Sequence, residues 1–341
     1  MKKITVIPGD GIGKEVMEAG LTVLESLNLN FDFLESEAGY ECFQKNGTTI
    51  PEKTIKNAKK SVSTLFGAST STPGEKSPII TLRKELDVFA NLRPVKSFKG
   101  VDCIYKDLDF LIIRENTEGL YSQIETIENI ETKNNLDIKA TATRVITKKA
   151  SERICDFAYK KAIEDNRKKV TCVHKANVLK KTDGIFKNSF YDISKKYSVT
   201  NPEILANDYY VDAMAMYLIT KPHEFDVIVT TNLFGDILSD EGAGLVGGLG
   251  LSPSANIGEN NGLFEPVHGS APDIAGKNIS NPVAMILSIA MMLDFLNEKY
   301  YGNQIRLAIE KVLATKRVAT PDLGGNSKTM DIAKAVIKEL D

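Results

Sequence analysis

Short runs of β-forming residues alternate with longer helix-like stretches along this chain, and no other feature restricts its fold as strongly. The β-rich runs lie at residues 4–7, 110–113, 170–173 and 225–229. Between the second and third runs, residues 150–167 place apolar side chains at helical spacing. Strands that alternate with helices predict an α/β architecture.

Length and charge narrow the class of protein further. The 341 residues, 42% of them hydrophobic, can bury a large core and are more typical of two domains than of one. The net charge of −2 predicts no general attraction to nucleic acid or to an anionic membrane. No apolar run approaches membrane-spanning length, and the β-rich start meets Pro8 too early for a signal peptide. We therefore expect a cytoplasmic protein with no nucleic-acid or membrane partner.

The cysteines agree with that compartment. Cys42, Cys103, Cys155 and Cys172 are widely spaced and form no CxxC pair. Their surroundings predict helix or strand, so we expect buried apolar side chains rather than disulfides or a zinc site.

Two aspartates four residues apart form the most informative short motif. Asp236 and Asp240 follow the apolar run at residues 227–229, and a helix that begins near Gly235 would place both on one face. Mg²⁺ and Mn²⁺ prefer carboxylate oxygen, and no cysteine or histidine is nearby. The motif therefore predicts a divalent metal site. The alternative is a solvated acidic helix face, with Asp236 favoured near a helix N-terminus.

Polar clusters follow three of the β-rich runs directly. They are Arg114-Glu115-Asn116, His174-Lys175-Ala176-Asn177 and Thr230-Thr231-Asn232. Ligands in open α/β sheets bind beyond the carboxyl ends of strands, so the clusters predict one shared cleft.

Arg83, Arg93 and Arg114 indicate the kind of ligand that this cleft would hold. Converging guanidinium groups, together with a metal ion, suit a substrate with more than one carboxylate. A surface salt bridge is the alternative for each arginine taken singly.

Two glycine-rich segments are candidates for a cofactor site. Residues 8–13 have GxGxG spacing rather than GxGxxG, and no clear second strand ends near residues 28–32, where a ribose-binding acid would lie. We therefore predict a tight strand-to-helix turn there, not a Rossmann domain. Residues 264–277 are the better candidate, because Asp273 can accept hydrogen bonds from a ribose diol. A structural turn is the alternative for this segment.

Six motifs together resemble the metal-dependent β-decarboxylating dehydrogenases that act on isocitrate, 3-isopropylmalate and homoisocitrate. They are residues 7–13, 91–94, 114–121, 174–177, 232–240 and 265–273. The resemblance spans essentially the whole chain, in order. It implies an isocitrate/isopropylmalate dehydrogenase-like fold with two domains around a mixed β-sheet.

The resemblance also implies how the chain divides. Residues 1–89 and 247–341 would form a large cofactor-binding domain, and residues 90–246 a small domain for dimerisation and substrate binding. An arm near residues 122–143 would contribute to the dimer, and the polar stretch at residues 126–139 matches it in position. A homodimer or tetramer with active sites shared between subunits follows from this resemblance.

Residue roles carry over at the matching positions. Asp236 and Asp240 would bind Mg²⁺ or Mn²⁺, together with Asp212 from a partner subunit, and the ion would chelate the substrate's hydroxyl and α-carboxylate. The general base would be Lys175, also from the partner, and the proton donor Tyr121. The arginines that would hold the carboxylates are Arg83, Arg93 and Arg114. The cofactor residues would be His268, Gly269, Ser270, Ala271, Pro272, Asp273, Ile274 and Asn281.

The cofactor can be predicted from one position. NADP-using relatives carry basic or tyrosine residues where this chain has Asp273-Ile274. A carboxylate there would repel the 2′-phosphate of NADP and accept hydrogen bonds from a 2′-hydroxyl, so we expect NAD.

The substrate prediction rests on the segment before Arg83. Lys76-Ser77-Pro78-Ile79-Ile80 looks most like homoisocitrate enzymes, with Lys76 and Ser77 as ligands of a distal carboxylate and Ile79 and Ile80 along its methylene spacer. We therefore expect homoisocitrate or a chain-length homologue. The paired isoleucines make 3-isopropylmalate the second candidate. NAD-dependent isocitrate oxidation follows, because isocitrate enzymes typically have an asparagine where Ile79 stands.

A regulatory subunit of a hetero-oligomeric dehydrogenase is the non-enzymatic alternative. Such subunits usually lack some catalytic positions, whereas this chain retains all five of those implied. They are Tyr121, Lys175, Asp212, Asp236 and Asp240.

Overall fold

The structure, a computed structural model, describes residues 1–131 and 136–340. Its strands are β1 (Lys2–Gly9), β2 (Phe31–Glu35), β3 (Ser63–Ala68), β4 (Ala90–Lys96), β5 (Asp109–Glu115), β6 (Gly119–Glu131), β7 (Leu136–Val145), β8 (Lys169–His174), β9 (Leu205–Tyr210), β10 (Val227–Thr230), β11 (Pro253–Ile257) and β12 (Gly262–Pro266). Its helices are α1 (Gly13–Ser26), α2 (Tyr40–Asn46), α3 (Glu52–Lys60), α4 (Pro78–Glu85), α5 (Lys148–Glu164), α6 (Thr182–Thr200), α7 (Val211–Thr220), α8 (Asn232–Leu245), α9 (Val283–Phe295), α10 (Lys299–Thr315) and α11 (Thr329–Lys338).

Ten of these strands form one mixed sheet in the order β2-β1-β3-β12-β11-β4-β5-β10-β8-β9. β11 is antiparallel to both β4 and β12, and β4 is antiparallel to β5. The remaining neighbours are parallel. The presence of both parallel and antiparallel pairs confirms the predicted α/β fold with a mixed sheet. The strand order also differs from the 3-2-1-4-5-6 order of a Rossmann sheet.

The first glycine-rich segment forms the tight turn that its sequence predicts. Gly9 and Gly11 have φ values of +73° and +55°, and α1 begins two residues later at Gly13. A side chain on Gly9 would place its Cβ 1.7 Å from the carbonyl oxygen of Ala68, so only glycine fits there. No strand ends within residues 28–32: β2 starts in this region, ends at Glu35 and pairs in parallel with β1.

The core extends across the sheet. The largest cluster of buried apolar side chains joins residues from the terminal and middle parts of the chain, such as Val16 and Ile154. α9 lies in this core and is buried on nearly all sides, as expected of a helix that is hydrophobic all round. A second cluster around Phe110, Met214 and Leu238 lies wholly within the middle part.

The predicted arm is a β-hairpin separate from the main sheet. β6 and β7 pair antiparallel with each other, and Ile127 and Ile138 are 74% and 66% exposed. The polar stretch at residues 126–139 thus forms strands where it is described, while residues 132–135 lie outside the described residues.

Two minor predictions concern membranes and cysteines. None of the helices in residues 1–131 and 136–340 is long and apolar enough to cross a bilayer. All four cysteines are free thiols, and three are buried in helices or strands. Cys103 differs from the prediction, because it lies partly exposed in the loop before β5.

Candidate active site

The polar clusters after β5 and β10 meet, because these strands are parallel neighbours whose carboxyl ends lie at one edge. Arg114, near the end of β5, donates from Nε and Nη2 to Asn232 Oδ1 at 3.0 and 2.7 Å. Asn232 is the first residue of α8. This contact fixes the guanidinium of Arg114, which is 1% exposed, against the start of the helix.

α8 carries the two aspartates of the predicted metal site. The helix begins three residues before Gly235, and Asp236 and Asp240 lie one turn apart on it as predicted. Asp236 accepts hydrogen bonds from Arg114 and from the hydroxyl of Tyr121. Asp240 Oδ1 is 4.0 Å from a terminal nitrogen of Arg93.

Burial and neighbouring charges perturb these groups. Burial raises the pKa of Asp240, an effect opposed by Arg93 and reinforced by the negative charge of Asp236. Burial alone would raise the pKa of Asp236 too, but Arg114 and the hydrogen bond from Tyr121 lower it. Burial, followed by the positive charges of Arg114 and Arg83, lowers the pKa of Arg93 to about 10. A pKa of about 10 leaves the Arg93 guanidinium positively charged at neutral pH, so it attracts carboxylates.

A cleft of about 240 Å³ brings ten of the twenty predicted site residues together. Those that line it are Ser77, Ile79, Ile80, Arg83, Arg93, Arg114, Tyr121, Asp236, His268 and Gly269. The three arginines are 1–6% exposed, so the structure contradicts a surface salt-bridge interpretation for them. Lys76 does not line this cleft, and its side chain is exposed.

Lys175 and Asp212 lie elsewhere on the chain. Lys175 directly follows β8 and contacts Asp212 in the first turn of α7 through its amino group. Its backbone N–H donates to buried Asp183 at 2.6 Å, which fixes the base of the side chain. Neither Lys175 nor Asp212 lines the cleft of its own chain, so the prediction that all three polar clusters share one cleft is wrong for a single subunit.

The chemistry of the donor set fits a hard divalent cation. Asp236 and Asp240 offer only carboxylate oxygens, and their side chains are 34% and 58% exposed. Within residues 1–131 and 136–340, no group of three or more His, Cys, Asp or Glu side chains could hold a metal ion. A metal ion held by Asp236 and Asp240 of one chain would therefore take its other ligands from substrate, water or a second subunit.

The two glycine-rich segments meet beside the cleft. The carbonyl of Ser270 accepts from Ile12 N–H at 2.9 Å, and its hydroxyl lies 2.7 Å from that of Thr70. A Cβ on Gly11 would lie 2.1 Å from the same carbonyl, so the first segment allows the loop of the second to approach. Ala271, with φ +39°, continues the loop into the exposed residues Pro272 and Asp273, followed by the half-buried Ile274.

Two residues of this loop differ in the use of their polar atoms. His268 Nε2 is buried without a hydrogen-bond partner, and burial lowers the pKa of the ring, which favours a neutral imidazole open to a ligand. Asn281 Oδ1 instead accepts from Val283 N–H at 3.0 Å, at the start of α9, so this amide is already engaged. Exposed Asp273 has the accessibility that a ribose ligand requires.

Sequence analysis did not identify three residues of the site, one that lines the cleft and two behind it. Glu265 lines the cleft and accepts from Arg83 Nη2 at 2.8 Å. Asn91 and Asn256 are fully buried in β4 and β11. Asparagine is depleted in strands, so its occurrence inside two apolar strands was the available signal.

A larger groove of about 670 Å³ lies against the same central strands, and Leu92, Pro94 and Ala255 are among its lining residues. Leu92 and Arg93 are adjacent in β4 and therefore face opposite sides of the sheet. None of the predicted site residues lines this groove.

Comparison with known proteins finds relatives along almost the whole length of this chain. Residues 3–336 match the family model described as isocitrate/isopropylmalate dehydrogenase. The 3-isopropylmalate dehydrogenase of Methanothermobacter thermautotrophicus is 55% identical over 99% of this chain and 98% of its own length. The homoisocitrate dehydrogenase of Methanocaldococcus jannaschii is 53% identical over 99% of this chain and 97% of its own length. The crystal structure of isocitrate dehydrogenase from Methylococcus capsulatus superposes with a TM-score of 0.94 at 43% identity, over 100% and 99% of the two chains.

Proposed function

This chain belongs to the isocitrate/isopropylmalate dehydrogenase family, and we propose that it oxidises homoisocitrate or a chain-length homologue with NAD and releases CO₂. One observation carries the proposal. Three buried arginines, the metal-type carboxylate of Asp236 and the hydroxyl of Tyr121 line one cleft together with the start of the cofactor-type loop. Three fixed positive charges suit an acid with two or three carboxylates.

The end of the cleft next to α4 supports a distal carboxylate. Ser77 is the N-cap residue of α4, yet its hydroxyl caps no backbone N–H of that helix. The first N–H groups of a helix lack partners within the helix and favour an anion. A carboxylate at the end of a methylene spacer would therefore find donors here, with Ile79 and Ile80 beside the spacer.

3-Isopropylmalate is the second candidate, and the same end of the cleft supports it. Ile79, Ile80 and Phe66 line the cleft there and could pack against an isopropyl group. The name of the Methanothermobacter relative agrees with this choice. A pocket that tolerates methylenes discriminates by about 1–3 kcal/mol per group, so one enzyme can act on both acids.

Within this proposal, Asp236 and Asp240 would hold Mg²⁺ or Mn²⁺ together with the partner subunit's Asp212. The bound ion supplies Lewis-acid polarisation of the substrate's hydroxyl and carbonyl oxygens. The partner subunit's Lys175 would accept the proton of the substrate's hydroxyl, and NAD held by residues 268–274 would supply the acceptor for the hydride of the same carbon. After CO₂ has left, the Tyr121 hydroxyl donates a proton to the carbon that carried it.

The separation of Lys175 from the cleft supports active sites shared between two subunits. Lys175 and Asp212 are held together but away from the cleft of their own chain. The nearby helices expose apolar residues that a second subunit could cover: Met216 and Ile219 on α7 and Ile237 on α8 are 51–58% exposed. We propose a homodimer with the arm at residues 122–143 in its interface. We also propose that residues 1–89 and 247–341 form the large cofactor-binding domain and residues 90–246 the small domain.

Substrate preference is tested by kcat/KM for NADH formation with homoisocitrate, 3-isopropylmalate and isocitrate, each with Mg²⁺ and under identical conditions. We expect the highest value with homoisocitrate. A higher value with 3-isopropylmalate would make the second candidate the function, and no turnover with any acid would favour the regulatory-subunit alternative. If Lys76→Ala gained on 3-isopropylmalate and lost nothing on homoisocitrate, the predicted role of Lys76 would be wrong.

Cofactor preference is tested at Asp273. We expect Asp273→Lys to raise the NADP/NAD ratio of kcat/KM, because the substitution removes the repulsion of the 2′-phosphate. Glu203→Lys makes the same charge change at an exposed position outside the loop and serves as the control. An Asp273→Lys enzyme that keeps the wild-type ratio would contradict this role.

Hybrid dimers test whether the active sites are shared. Lys175→Met and Asp236→Asn should each be inactive alone. In dimers formed from equal amounts, half of the molecules are mixed and each mixed dimer has one intact site, so about a quarter of wild-type activity should return. If each site uses only its own chain, every mixture stays inactive.

A further inference from the structure

We propose that Asn91 and Asn256 are positioning residues that couple Arg83 and Arg93, so that the two arginines bind substrate carboxylates as one unit. This inference rests on the proposed function, which assigns both arginines to substrate binding. It concerns residues behind the cleft that do not line it themselves.

A continuous chain of hydrogen bonds joins the two guanidinium groups. Arg93 Nε donates to Asn91 Oδ1 at 2.7 Å, and Asn91 Nδ2 donates to Asn256 Oδ1 at 2.5 Å. Asn256 Nδ2 donates to Glu265 Oε1 at 2.9 Å, and the same oxygen accepts from Arg83 Nη2 at 2.8 Å. The chain crosses β4, β11 and β12 and ends on α4.

Strand register makes this chain possible. Asn91 and Asn256 are directly paired across the antiparallel β4 and β11, so their side chains point to the same face of the sheet. Arg93 lies two residues after Asn91 and therefore shares that face. Both asparagines are fully buried, and the arginines and Glu265 are 5–7% exposed.

The asparagine amides are engaged on both sides. Asn256 Oδ1 also accepts from Asn116 Nδ2 at 2.9 Å, and Asn256 Nδ2 also donates to the carbonyl of Leu263 at 3.0 Å. Four hydrogen bonds thus fix the orientation of this amide. Each buried donor left without an acceptor would cost about 1–3 kcal/mol, which opposes any other arrangement.

The direction of the donors explains the coupling. From Arg93 to Glu265, every group donates toward the carboxylate. Glu265 therefore accepts directly from Arg83 and polarises the two amides so that Asn91 Oδ1 presents extra negative charge to Arg93. Arg93 Nε is held from behind, which leaves the terminal nitrogens toward Asp240 and the cleft.

A double-mutant cycle tests the proposal. Asn256→Leu, which is similar in size but makes no hydrogen bonds, should raise KM for the acid substrate by about tenfold, the loss expected for one hydrogen bond to a charged group. KM for NAD should stay within about twofold of wild type, because the chain of hydrogen bonds approaches the cofactor loop only as far as Glu265, three residues before His268, the first residue assigned to the cofactor. In an Arg93→Lys background, the effect of Asn256→Leu on substrate KM should fall to about twofold or less, since lysine has no Nε–H for Asn91 to hold.

Asn207→Leu is the control for a general loss of stability. Asn207 Oδ1 accepts from buried Thr171 at 2.7 Å in β8 and β9, away from the arginines, so its loss strands a buried hydroxyl without touching the chain. We expect unchanged substrate KM for this variant. Asn256→Ser, which is too short to reach Glu265, replaces Asn256→Leu if the latter does not fold.

Three results would overturn the inference. They are equal effects of the Asn256 substitution in both backgrounds, equal increases in KM for substrate and NAD, and a substrate KM shift in the Asn207 control as large as that in Asn256→Leu. Failure of the proposed function shows differently, as no turnover by the wild type with any acid tested. In that case the double-mutant cycle is measured by binding alone, as the increase in Tm that citrate gives in each variant. Citrate is a tricarboxylate whose hydroxyl carbon carries no hydrogen to oxidise, so it can bind without reacting.

Discussion

Replacing Gly235 with alanine should destabilise this protein, although the same change inside a helix usually stabilises. Alanine in a helix interior is favoured over glycine by about 1 kcal/mol. Gly235, however, lies in the first turn of α8 against the side chain of Arg114. An added Cβ would be 2.6 Å from Arg114 Cγ and 2.7 Å from its Cβ. These atoms belong to the base of the side chain, which cannot swing away.

The size of the expected loss of stability follows from the hydrogen bonds of Arg114 that an alanine at position 235 would disturb. Ordinary contact begins near 3.4 Å, so the base of the side chain must move by about 0.8 Å. That movement disturbs the hydrogen bonds to Asn232 at 2.7 and 3.0 Å and the contact with Asp236. Weakening hydrogen bonds of a buried charge costs about 1.5–3 kcal/mol. Against the gain in helix propensity, we expect a net loss of about 0.5–2 kcal/mol in the free energy of unfolding.

Gly244 supplies the matched control. It lies in the same helix, and a Cβ there would meet no atom within 4 Å. Urea unfolding of Gly235→Ala and Gly244→Ala, with substrate KM for both, separates the two effects. Gly244→Ala should be as stable as wild type or more so, with unchanged KM, whereas Gly235→Ala should lose stability and bind substrate less tightly. A Gly235→Ala protein as stable as Gly244→Ala, with wild-type KM, would refute the steric argument.

Three further predictions concern the metal ion, the Tyr121 hydroxyl and the buried contacts of Asp208. Removing divalent cations with EDTA should abolish NADH formation, and Mg²⁺ or Mn²⁺ should restore it; full activity after exhaustive chelation would contradict a metal role for Asp236 and Asp240. Tyr121→Phe should lower kcat by about 100-fold or more with little change in NADH affinity, and a fall below tenfold would argue against general acid catalysis. Burial alone would raise the pKa of Asp208, but hydrogen bonds from Tyr191, Lys187 and His174 lower it to about 2. Asp208→Asn should therefore lower the free energy of unfolding at neutral pH, and the difference should shrink as the pH falls from about 4 toward 2; a pH-independent difference would exclude the carboxylate charge as the cause.

Local sequence patterns predicted individual strands and helices of this fold. The apolar run at residues 227–229 and the turn after it sufficed to place Asp236 and Asp240 on one helix. β2 was missed because its sequence, Phe31 to Glu35, mixes charged and apolar residues at a half-buried position beside β1. Cys103 was assigned to regular structure on its neighbours alone, whereas it lies in a loop.

The back of the site could not be predicted in this way. The pairing of Asn91 with Asn256 joins positions 165 residues apart, and only the order of the strands reveals that they face each other. Lys175 and Asp212 follow β8 and β9, at the end of the sheet beyond β10, and their side chains meet each other instead of the cleft residues. Which direction a side chain takes beyond a strand end depends on packing that a single sequence does not display.

The order of the strands also has a consequence for how the protein is made. β11 and β12 fill the middle of the sheet between β3 and β4, yet they are the last two strands in the sequence. While the ribosome is still short of residue 253, β3 and β4 each have an edge without its native neighbour, and β1–β3 are separate from β4, β5, β8, β9 and β10. The emerging chain therefore holds two half-sheets with open edges, the kind of surface that pairs with other chains. A chain that stops before residue 253 therefore lacks the two strands that join these half-sheets. In the complete chain, the hairpin of β11 and β12 joins them.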